Sequence, residues 1–133
     1  MGTIKGSILV AEDDPAFLQL LTEALTGEGY FVVAATDGAE AVSLLHLVKY
    51  NLIILDLNIP KVAGGEMVSM IRSLAMKTPI VLMSGHIDAL HIALKMDIEA
   101  YLGKPFELPV LFSVVEDCVK QSHQIHSGVA ASF

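Results

Sequence analysis

The sequence predicts a doubly wound α/β fold, a five-stranded parallel sheet with helices on both faces. Five short apolar segments alternate along the chain with five segments of helical periodicity. Several apolar segments lack the polar–apolar alternation of a strand with one wet face, which indicates strands covered on both faces. The chain has 133 residues, and 53% of them are apolar, which suits one domain with a substantial core.

The strands are predicted at the short apolar segments. These segments cover residues 8–11, 31–35, 52–57, 80–83 and 100–102. Because a helix separates each pair, successive strands are expected to run parallel. Right-handed crossovers leave only a few strand orders. In sheets of this kind the functional site lies at the carboxyl ends of the strands, near the switch in strand order.

The helices are predicted from caps, breakers and apolar spacing. Asp14 can cap a first helix that begins near Pro15 and ends at Gly27 and Gly29. The others are predicted after Asp37-Gly38, over 65–74, over 88–96, and from about 107 to 121. The side chains expected to face the core are Phe17, Leu18, Leu21, Leu25, Ala41, Val42, Leu45, Val48, Met67, Met70, Ile71, Leu74, Leu111, Val115, Cys118 and Val119.

Charge and hydropathy exclude several classes of partner. The net charge is −7, from 8 basic and 15 acidic residues, which disfavours direct binding to nucleic acid or anionic lipid. No apolar run approaches the roughly 20 residues that a membrane-spanning helix needs. The N-terminus does not resemble a signal peptide. We therefore expect a cytoplasmic protein, and its single cysteine, Cys118, excludes an intramolecular disulfide.

Polar side chains follow four of the predicted strands. Glu12 and Asp13 follow the first strand, Asp56 ends the third, Ser84 follows the fourth and Lys104 follows the fifth. Two like charges about 4 Å apart repel by about 4 kcal/mol at an effective dielectric of 20. A hard divalent cation with oxygen ligands, Mg²⁺, is the simplest way to relieve this repulsion. The lysine adds a positive charge that could meet a phosphate.

These residues belong to four short motifs that occur in order along the chain. The motifs are ILVAEDDP at 8–15, LDLNIP at 55–60 with Gly64, MSG at 83–85 and YLGKP at 101–105. With these motifs at these spacings, the chain resembles receiver domains of two-component response regulators over about residues 6–122. The resemblance implies a flavodoxin-like fold with strand order 2-1-3-4-5. It also implies a phosphorylation switch in which Asp56 accepts a phosphoryl group from a phosphohistidine donor.

The resemblance assigns further residues to the metal and to the switch. Mg²⁺ would be held by Asp56, by Asp13 directly, by Glu12 through water and by the backbone carbonyl of Asn58. Lys104 and Ser84 would contact the phosphoryl oxygens, and Tyr101 would move inward as Ser84 is drawn to the phosphate. His86 and Asn58 stand where receiver domains often tune phosphate lifetime, although a plain exposed histidine fits His86 equally well. A cis peptide is also expected between Lys104 and Pro105. Asp14 suits the helix cap better than the metal.

Two features depart from the receiver pattern. The interval from Ser84 to Lys104 is about two residues short, which suggests a truncated fourth helix or a tightened loop. Asp97-Ile98 stands where a Gly-Ala pair is common. The fourth helix is also too apolar to bury every side chain. We therefore expect the face formed by helix four, strand five and helix five to contact an output protein or a second copy.

The domain is expected to span residues 7–122, between an N-terminal extension over 1–6 and a flexible tail over 123–133. The expected phosphate donor is a sensor histidine kinase or a histidine phosphotransfer protein, and output would be protein contact or onward relay. The chain could stand alone or be cut from a hybrid kinase or a longer regulator. We expect no enzymatic activity beyond self-phosphorylation from small donors and self-dephosphorylation.

Two other classes remain as alternatives. Phosphatases that use an aspartyl-phosphate commonly carry a second aspartate two residues after the nucleophile, where this chain has Asn58. A flavin binder would need a glycine-rich phosphate loop after the first strand, whereas this chain has Asp13-Asp14-Pro15.

Overall fold

A computed structural model describes residues 3–74, 76–86 and 89–127. Five strands alternate with five helices over these residues. The strands are β1 (Ser7–Ala11), β2 (Phe31–Ala35), β3 (Leu52–Asp56), β4 (Ile80–Ser84) and β5 (Ala100–Gly103). The helices are α1 (Pro15–Gly27), α2 (Gly38–Leu44), α3 (Gly64–Ser73), α4 (Ala89–Ala93) and α5 (Leu108–Ser127). Every strand boundary lies within one residue of its predicted position.

The five strands form one parallel sheet in the order β2-β1-β3-β4-β5. This confirms the predicted fold and strand order. The chain passes outward from β1 to β2 and then back across to β3, so the order switches between β1 and β3. Ala11 pairs with Leu55, and Ser84 pairs with Gly103. The carboxyl ends of β1, β3, β4 and β5 therefore lie along one edge of the sheet.

The core has one layer on each face of the sheet, because neighbouring residues of a strand point to opposite faces. Ile8 and Val10 pack in the layer that includes α1 and α5, whereas Leu9 and Ala11 pack in the layer that includes α2 and α3. All four are fully buried. Two-sided burial explains why these strands are apolar without alternation.

Side chains cap the first two helices, and the first of these caps was predicted from the sequence. A carboxylate oxygen of Asp14 accepts hydrogen bonds from the amides of Ala16 at 3.0 Å and Phe17 at 3.4 Å, which confirms Asp14 as the N-cap of α1. Helix α1 ends at Gly27, and Gly29 follows with a φ of 100°, a conformation that glycine adopts without strain. Asp37 caps α2 by accepting from the Glu40 amide at 2.7 Å.

Two glycines bring helices close to the loop that follows β3. A Cβ added to Gly38 would lie 2.2 Å from the carbonyl oxygen of Val62, and one added to Gly64 would lie 2.7 Å from the Cα of Leu57. The Gly38 amide also donates to the carbonyl of Pro60 at 2.9 Å. Only glycine fits at these contacts, which hold the loop between Asp56 and α3 in place.

Three helices end at earlier residues than predicted. Helix α2 ends at Leu44, although the sequence placed Leu45 and Val48 on it. Leu74 is 47% exposed rather than buried, because α3 ends at Ser73, and Val68 takes the inward position. Helix α4 ends at Ala93 rather than at Met96, which agrees with a truncated fourth helix. Its predicted start, Asp88, lies outside the described residues.

The C-terminal helix is longer than predicted. Helix α5 continues to Ser127, so residues 123–127, which the sequence assigned to a tail, are helical. Residues 128–133 lie outside the described part of the chain, as do residues 1–2. Ser122 is fully buried and accepts a hydrogen bond from the Asn51 side chain at 3.2 Å, which ties this end of the helix to the sheet. None of the helices described is both long and apolar enough to span a bilayer.

Candidate metal centre at the strand ends

The acidic and basic side chains predicted to meet do lie together at the carboxyl edge of the sheet. Glu12 directly follows β1, and Asp56 is the last residue of β3. They are only 1% and 6% exposed, whereas Asp13 is exposed. Buried carboxylates are costly unless they are paired. The environment of Glu12 and Asp56 must therefore supply positive charge or hydrogen-bond donors.

Lys104, directly after β5, supplies that charge. Its Nζ forms ion pairs with Asp56 Oδ2 at 2.8 Å and with Glu12 Oε1. Burial alone would lower the pKa of Lys104, but the hydrogen bonds to Asp56 and Glu12 outweigh it and raise the pKa above its ordinary value. Lys104 is therefore a cation at neutral pH. For Glu12, burial raises the pKa more than the lysine lowers it.

Backbone amides satisfy the other carboxylate oxygens. Asp56 Oδ1 accepts a hydrogen bond from the Asn58 amide at 2.9 Å. Glu12 Oε2 accepts one from the Asp14 amide at 3.1 Å. These contacts fix the direction of both acids toward the same point. Asp14 itself turns away to cap α1, as its predicted role requires.

The donor set suits a hard divalent cation. Glu12, Asp13 and Asp56 each offer a carboxylate oxygen, and these oxygens lie within 4.8 Å of one another. Clustered carboxylate oxygens are ligands that Mg²⁺ accepts. The geometry thus brings together the three acids that the sequence assigned to a metal. The carbonyl of Asn58 stays a prediction as a ligand, since the contact described for Asn58 is made by its amide.

Ser84, His86 and Tyr101 line an open pocket beside Lys104, with a volume of about 350 Å³. Ser84 is buried, and its Oγ accepts a hydrogen bond from the His86 amide at 3.1 Å. The Tyr101 hydroxyl lies 3.4 Å from the carbonyl oxygens of both Ser84 and His86. His86 is exposed. The structure therefore groups the predicted switch residues beside Lys104, which in turn contacts Glu12 and Asp56.

An aromatic pair supports Lys104 from its other side. The lysine Nζ lies 4.9 Å from the centre of the Phe17 ring, and Phe17 packs edge-on against Phe106 at 5.7 Å between ring centres. The peptide bond between Lys104 and Pro105 is cis, as predicted. The sequence assigned Phe17 only to the core of α1. Its contact with Lys104 carries no sequence signal, because it depends on how α1 and the residues after β5 approach each other.

Comparisons with known proteins agree with this fold. A sequence model described as the response regulator receiver domain matches residues 8–116. The chain belongs to the response regulator receiver domain family. Members of this family are signalling switches rather than enzymes that turn over external substrates.

Individual relatives show the extent of the likeness. The transcriptional regulatory protein GlrR of Escherichia coli is 32% identical over 117 residues, which are 86% of this chain and 26% of GlrR. The receiver domain of the Francisella response regulator 1452 has 27% identity and a TM-score of 0.82, covering 88% of this chain and 98% of that chain. Full-length FixJ of B. japonicum has 27% identity and a TM-score of 0.85, covering 94% of this chain and 63% of that chain.

This receiver domain spans only part of the curated relatives that it matches. It covers 26% of GlrR and 47% of the DNA-binding response regulator MtrA of Mycolicibacterium smegmatis.

The receiver domain also contains an ion-pair cluster that the sequence analysis missed. Arg72, in the last turn of α3, contacts Asp97 and Glu99, which precede β5. Asp97 is one of the two residues noted as departures from the receiver pattern. The unusual Asp97 was the one sign of this cluster in the sequence, but it did not identify Arg72, 25 residues earlier, as its partner.

Proposed function

We propose that this receiver domain is a phosphorylation-dependent switch in which Asp56 accepts a phosphoryl group from a phosphohistidine donor, with Mg²⁺ bound by the acidic cluster. The observation that carries the proposal is the contact of Lys104 with Asp56 at 2.8 Å, beside Glu12 and Asp13. A buried carboxylate, two further acids and a lysine at one sheet edge match what phosphoryl transfer needs. The family to which the chain belongs supports the same function.

The chemistry begins with in-line attack of a carboxylate oxygen of Asp56 on phosphorus. An O–P bond forms, the P–N bond of the phosphohistidine breaks, and the departing imidazole nitrogen takes up a proton. The product is an acyl phosphate on Asp56. Charge in the transition state is spread over three equatorial oxygens. From its present position Lys104 can stabilise the negative charge on one of these oxygens, and the Ser84 hydroxyl can donate a hydrogen bond to another.

The metal would be held by Glu12, Asp13 and Asp56, with the Asn58 carbonyl proposed as a further ligand. A bound Mg²⁺ supplies charge neutralisation for the phosphoryl oxygens. The protein's own contribution is to fix the acids, since the Asn58 and Asp14 amides hold one oxygen of Asp56 and one of Glu12. Asn58 lies two residues after Asp56 and His86 lines the pocket beside Lys104, and we propose that both tune how long the phosphate persists.

Phosphorylation would change the conformation through Ser84 and Tyr101. A phosphoryl group on Asp56 draws the Ser84 hydroxyl toward it, which opens space for the Tyr101 ring to move inward. Within the described part of the chain, the contacts of the Tyr101 hydroxyl are two long ones of 3.4 Å, so its hydrogen bonds oppose the movement only weakly. The switch is thus a two-state element whose populations the phosphate biases.

The output surface proposed is the face formed by α4, β5 and α5. Three large apolar side chains lie on this face: Leu90 in α4, Leu94 directly after α4 and Val110 in α5 are 42%, 73% and 49% exposed. Exposed apolar patches commonly mark contacts with partners. We propose that this face binds an output protein or a second copy, and that a sensor histidine kinase or a histidine phosphotransfer protein supplies the phosphoryl group. We place the receiver domain at about residues 7–122, whether it stands alone or belongs to a longer regulator.

The proposal is tested by incubating the protein with acetyl phosphate and Mg²⁺ and mapping the product by mass spectrometry. One base-labile phosphoryl group is expected on Asp56, and none in the Asp56→Asn variant. Asp14→Asn is the matched control. It changes a neighbouring acid by the same chemistry, while asparagine still caps a helix. The control should be phosphorylated like the wild type.

Phosphorylation of a residue other than Asp56 would refute the assignment, and so would an unchanged yield in the Asp56→Asn variant. Omitting Mg²⁺ should abolish the reaction. If chelation of divalent cations leaves the yield unchanged, the role given to the acidic cluster is wrong.

A further inference from the structure

Arg72 joins three segments at the end of β4 and β5 that is opposite to the phosphoacceptor. Its Nη1 donates to the carbonyl oxygens of Met76 at 2.9 Å and Thr78 at 2.8 Å, in the segment that leads into β4. Its Nε donates to the carbonyl oxygen of Asp97 at 3.1 Å. Its Nη2 contacts Glu99 Oε1 at 3.2 Å. The guanidinium group is thus used on all three nitrogens.

Glu99 extends this cluster into the sheet. The carboxylate oxygen that receives Arg72 also accepts a hydrogen bond from the Ile80 amide at 2.7 Å. In the other direction, the Glu99 amide donates to the Ile80 carbonyl at 2.9 Å. The first residue of β4 is therefore bonded to the residue just before β5 through both backbone and side chain.

The position of this cluster relates it to the switch. Tyr101 lies two residues after Glu99, on the same strand. Ser84 lies four residues after Ile80, roughly 13 Å away at the usual rise of a strand. Ser84 thus lies at one end of the β4–β5 pair, Arg72 holds the other end, and Tyr101 lies between them, paired with Leu82. The side chains of Arg72 and Glu99 are only 18% and 20% exposed, so water competes weakly for these bonds.

We propose that Arg72 is a positioning residue that fixes the start of β5, so that movement of Tyr101 hinges at Glu99 and does not pass into the segment before it. This inference rests on the proposed switch function. A planar guanidinium suits the role because its fork of donors can bind carbonyls and a carboxylate at the same time. Asp97, which departs from the usual receiver pattern, adds a carboxylate contact to Arg72 at 3.3 Å.

The test uses ¹⁵N-labelled protein and two measurements on each of three proteins: wild type, Arg72→Gln and Lys120→Gln. Lys120 pairs with Glu116 on an exposed part of α5, so its replacement removes the same charge without touching the cluster. The first measurement is amide hydrogen exchange at Ile80. In Arg72→Gln it should accelerate about tenfold relative to the amides of β3, as expected for loss of one charge-assisted hydrogen bond. Lys120→Gln should leave it unchanged.

The second measurement compares amide chemical shifts before and after addition of beryllofluoride with Mg²⁺. In the wild type and in Lys120→Gln, the amide shifts of Tyr101 should change, and going back along the chain from Tyr101 the changes should stop at Glu99. In Arg72→Gln they should extend to Asp97 and Ile80. A residue that only stabilises the fold would lower stability without moving this boundary. Arg72→Lys, which keeps the charge but lacks the fork, should give an intermediate extent, and it replaces Arg72→Gln if that variant does not fold.

The outcomes separate the two hypotheses. If beryllofluoride shifts Ser84 and Tyr101 in all variants but the boundary stays at Glu99, the role of Arg72 is refuted and the switch stands. The same conclusion follows if Ile80 exchange is equal in Arg72→Gln and the wild type. If beryllofluoride changes nothing in the wild type, the switch fails and the hinge fails with it.

Discussion

Replacement of Gly38 by alanine tests whether the loop after β3 is held by close backbone contact. The added Cβ would lie 2.2 Å from the Val62 carbonyl oxygen, 2.6 Å from the Val62 Cβ and 2.8 Å from its Cα. Ordinary contacts begin near 3.4 Å, so the loop or the start of α2 must move by more than an ångström. Two of the three atoms belong to the backbone, which a rotamer change cannot relieve.

The expected cost is about 1–3 kcal/mol of unfolding free energy, the range found when a packed site is overfilled. Gly27→Ala is the matched control, because nothing lies within 4 Å of its added Cβ. Gly27 is the last residue of α1, where alanine should be neutral or should stabilise by up to about 1 kcal/mol. In urea denaturation followed by circular dichroism, the midpoint should therefore fall for Gly38→Ala and should stay the same or rise for Gly27→Ala. The slope of unfolding free energy against urea should be equal in both variants.

The same substitution should slow phosphorylation, because Gly38 binds the loop that begins at Asp56. The Gly38 amide donates to the Pro60 carbonyl, four residues beyond the acceptor. Displacing that loop moves the Asn58 amide, which orients Asp56. The rate of modification by acetyl phosphate should fall in Gly38→Ala and not in Gly27→Ala. Equal midpoints and equal rates for the two variants would refute the close contact.

Three further predictions use contrasts within the chain. Leu21→Ala should cost about 2–5 kcal/mol because Leu21 is fully buried, whereas Leu20→Ala, at a 48% exposed neighbour, should stay within about 0.5 kcal/mol by urea denaturation. Cys118 should resist a thiol reagent such as DTNB until the protein is unfolded. Burial, together with the charges of Glu99 and Asp117, raises the pKa of Cys118 to about 11, so almost no reactive thiolate is present at neutral pH. Rapid reaction of the native protein would contradict this. Lys104→Met should strengthen Mg²⁺ binding in isothermal titration, because the competing cation is gone, and should slow phosphorylation; weaker binding would show that the lysine does not compete with the metal.

The strands were predictable because their physical environment leaves a simple signature. A strand covered on both faces must be apolar at every position, and Leu52 to Leu55 are all fully buried. Helix starts were predictable where a side chain does the capping, as at Asp14. Helix ends were less so. Leu74 has the spacing of a core residue, but α3 stops one residue earlier and leaves it exposed.

The candidate site was predictable as a set of residues but not as a set of contacts. In a parallel sheet, the residues that follow the strands must share an edge, so Glu12, Asp56 and Lys104 could be grouped from sequence order alone. Which carboxylates the lysine would contact depends on side-chain reach and burial. The sequence assigned Lys104 to the incoming phosphate, and the structure adds that it pairs with Glu12 and Asp56 beforehand.

Arg72 lay beyond sequence reasoning for a related reason. Its partners are backbone carbonyls and two acids 25 and 27 residues away, and no periodicity records such contacts. Yet the arrangement is the one that the proposed switch would require. Phosphate on Asp56 can bias Tyr101 only if part of β5 is free to move, and the sheet keeps its register only if another part is fixed. Ser84 at the carboxyl end of β4 and Tyr101 within β5, with Arg72 and Glu99 bonded at the opposite end, would meet both requirements with one pair of strands.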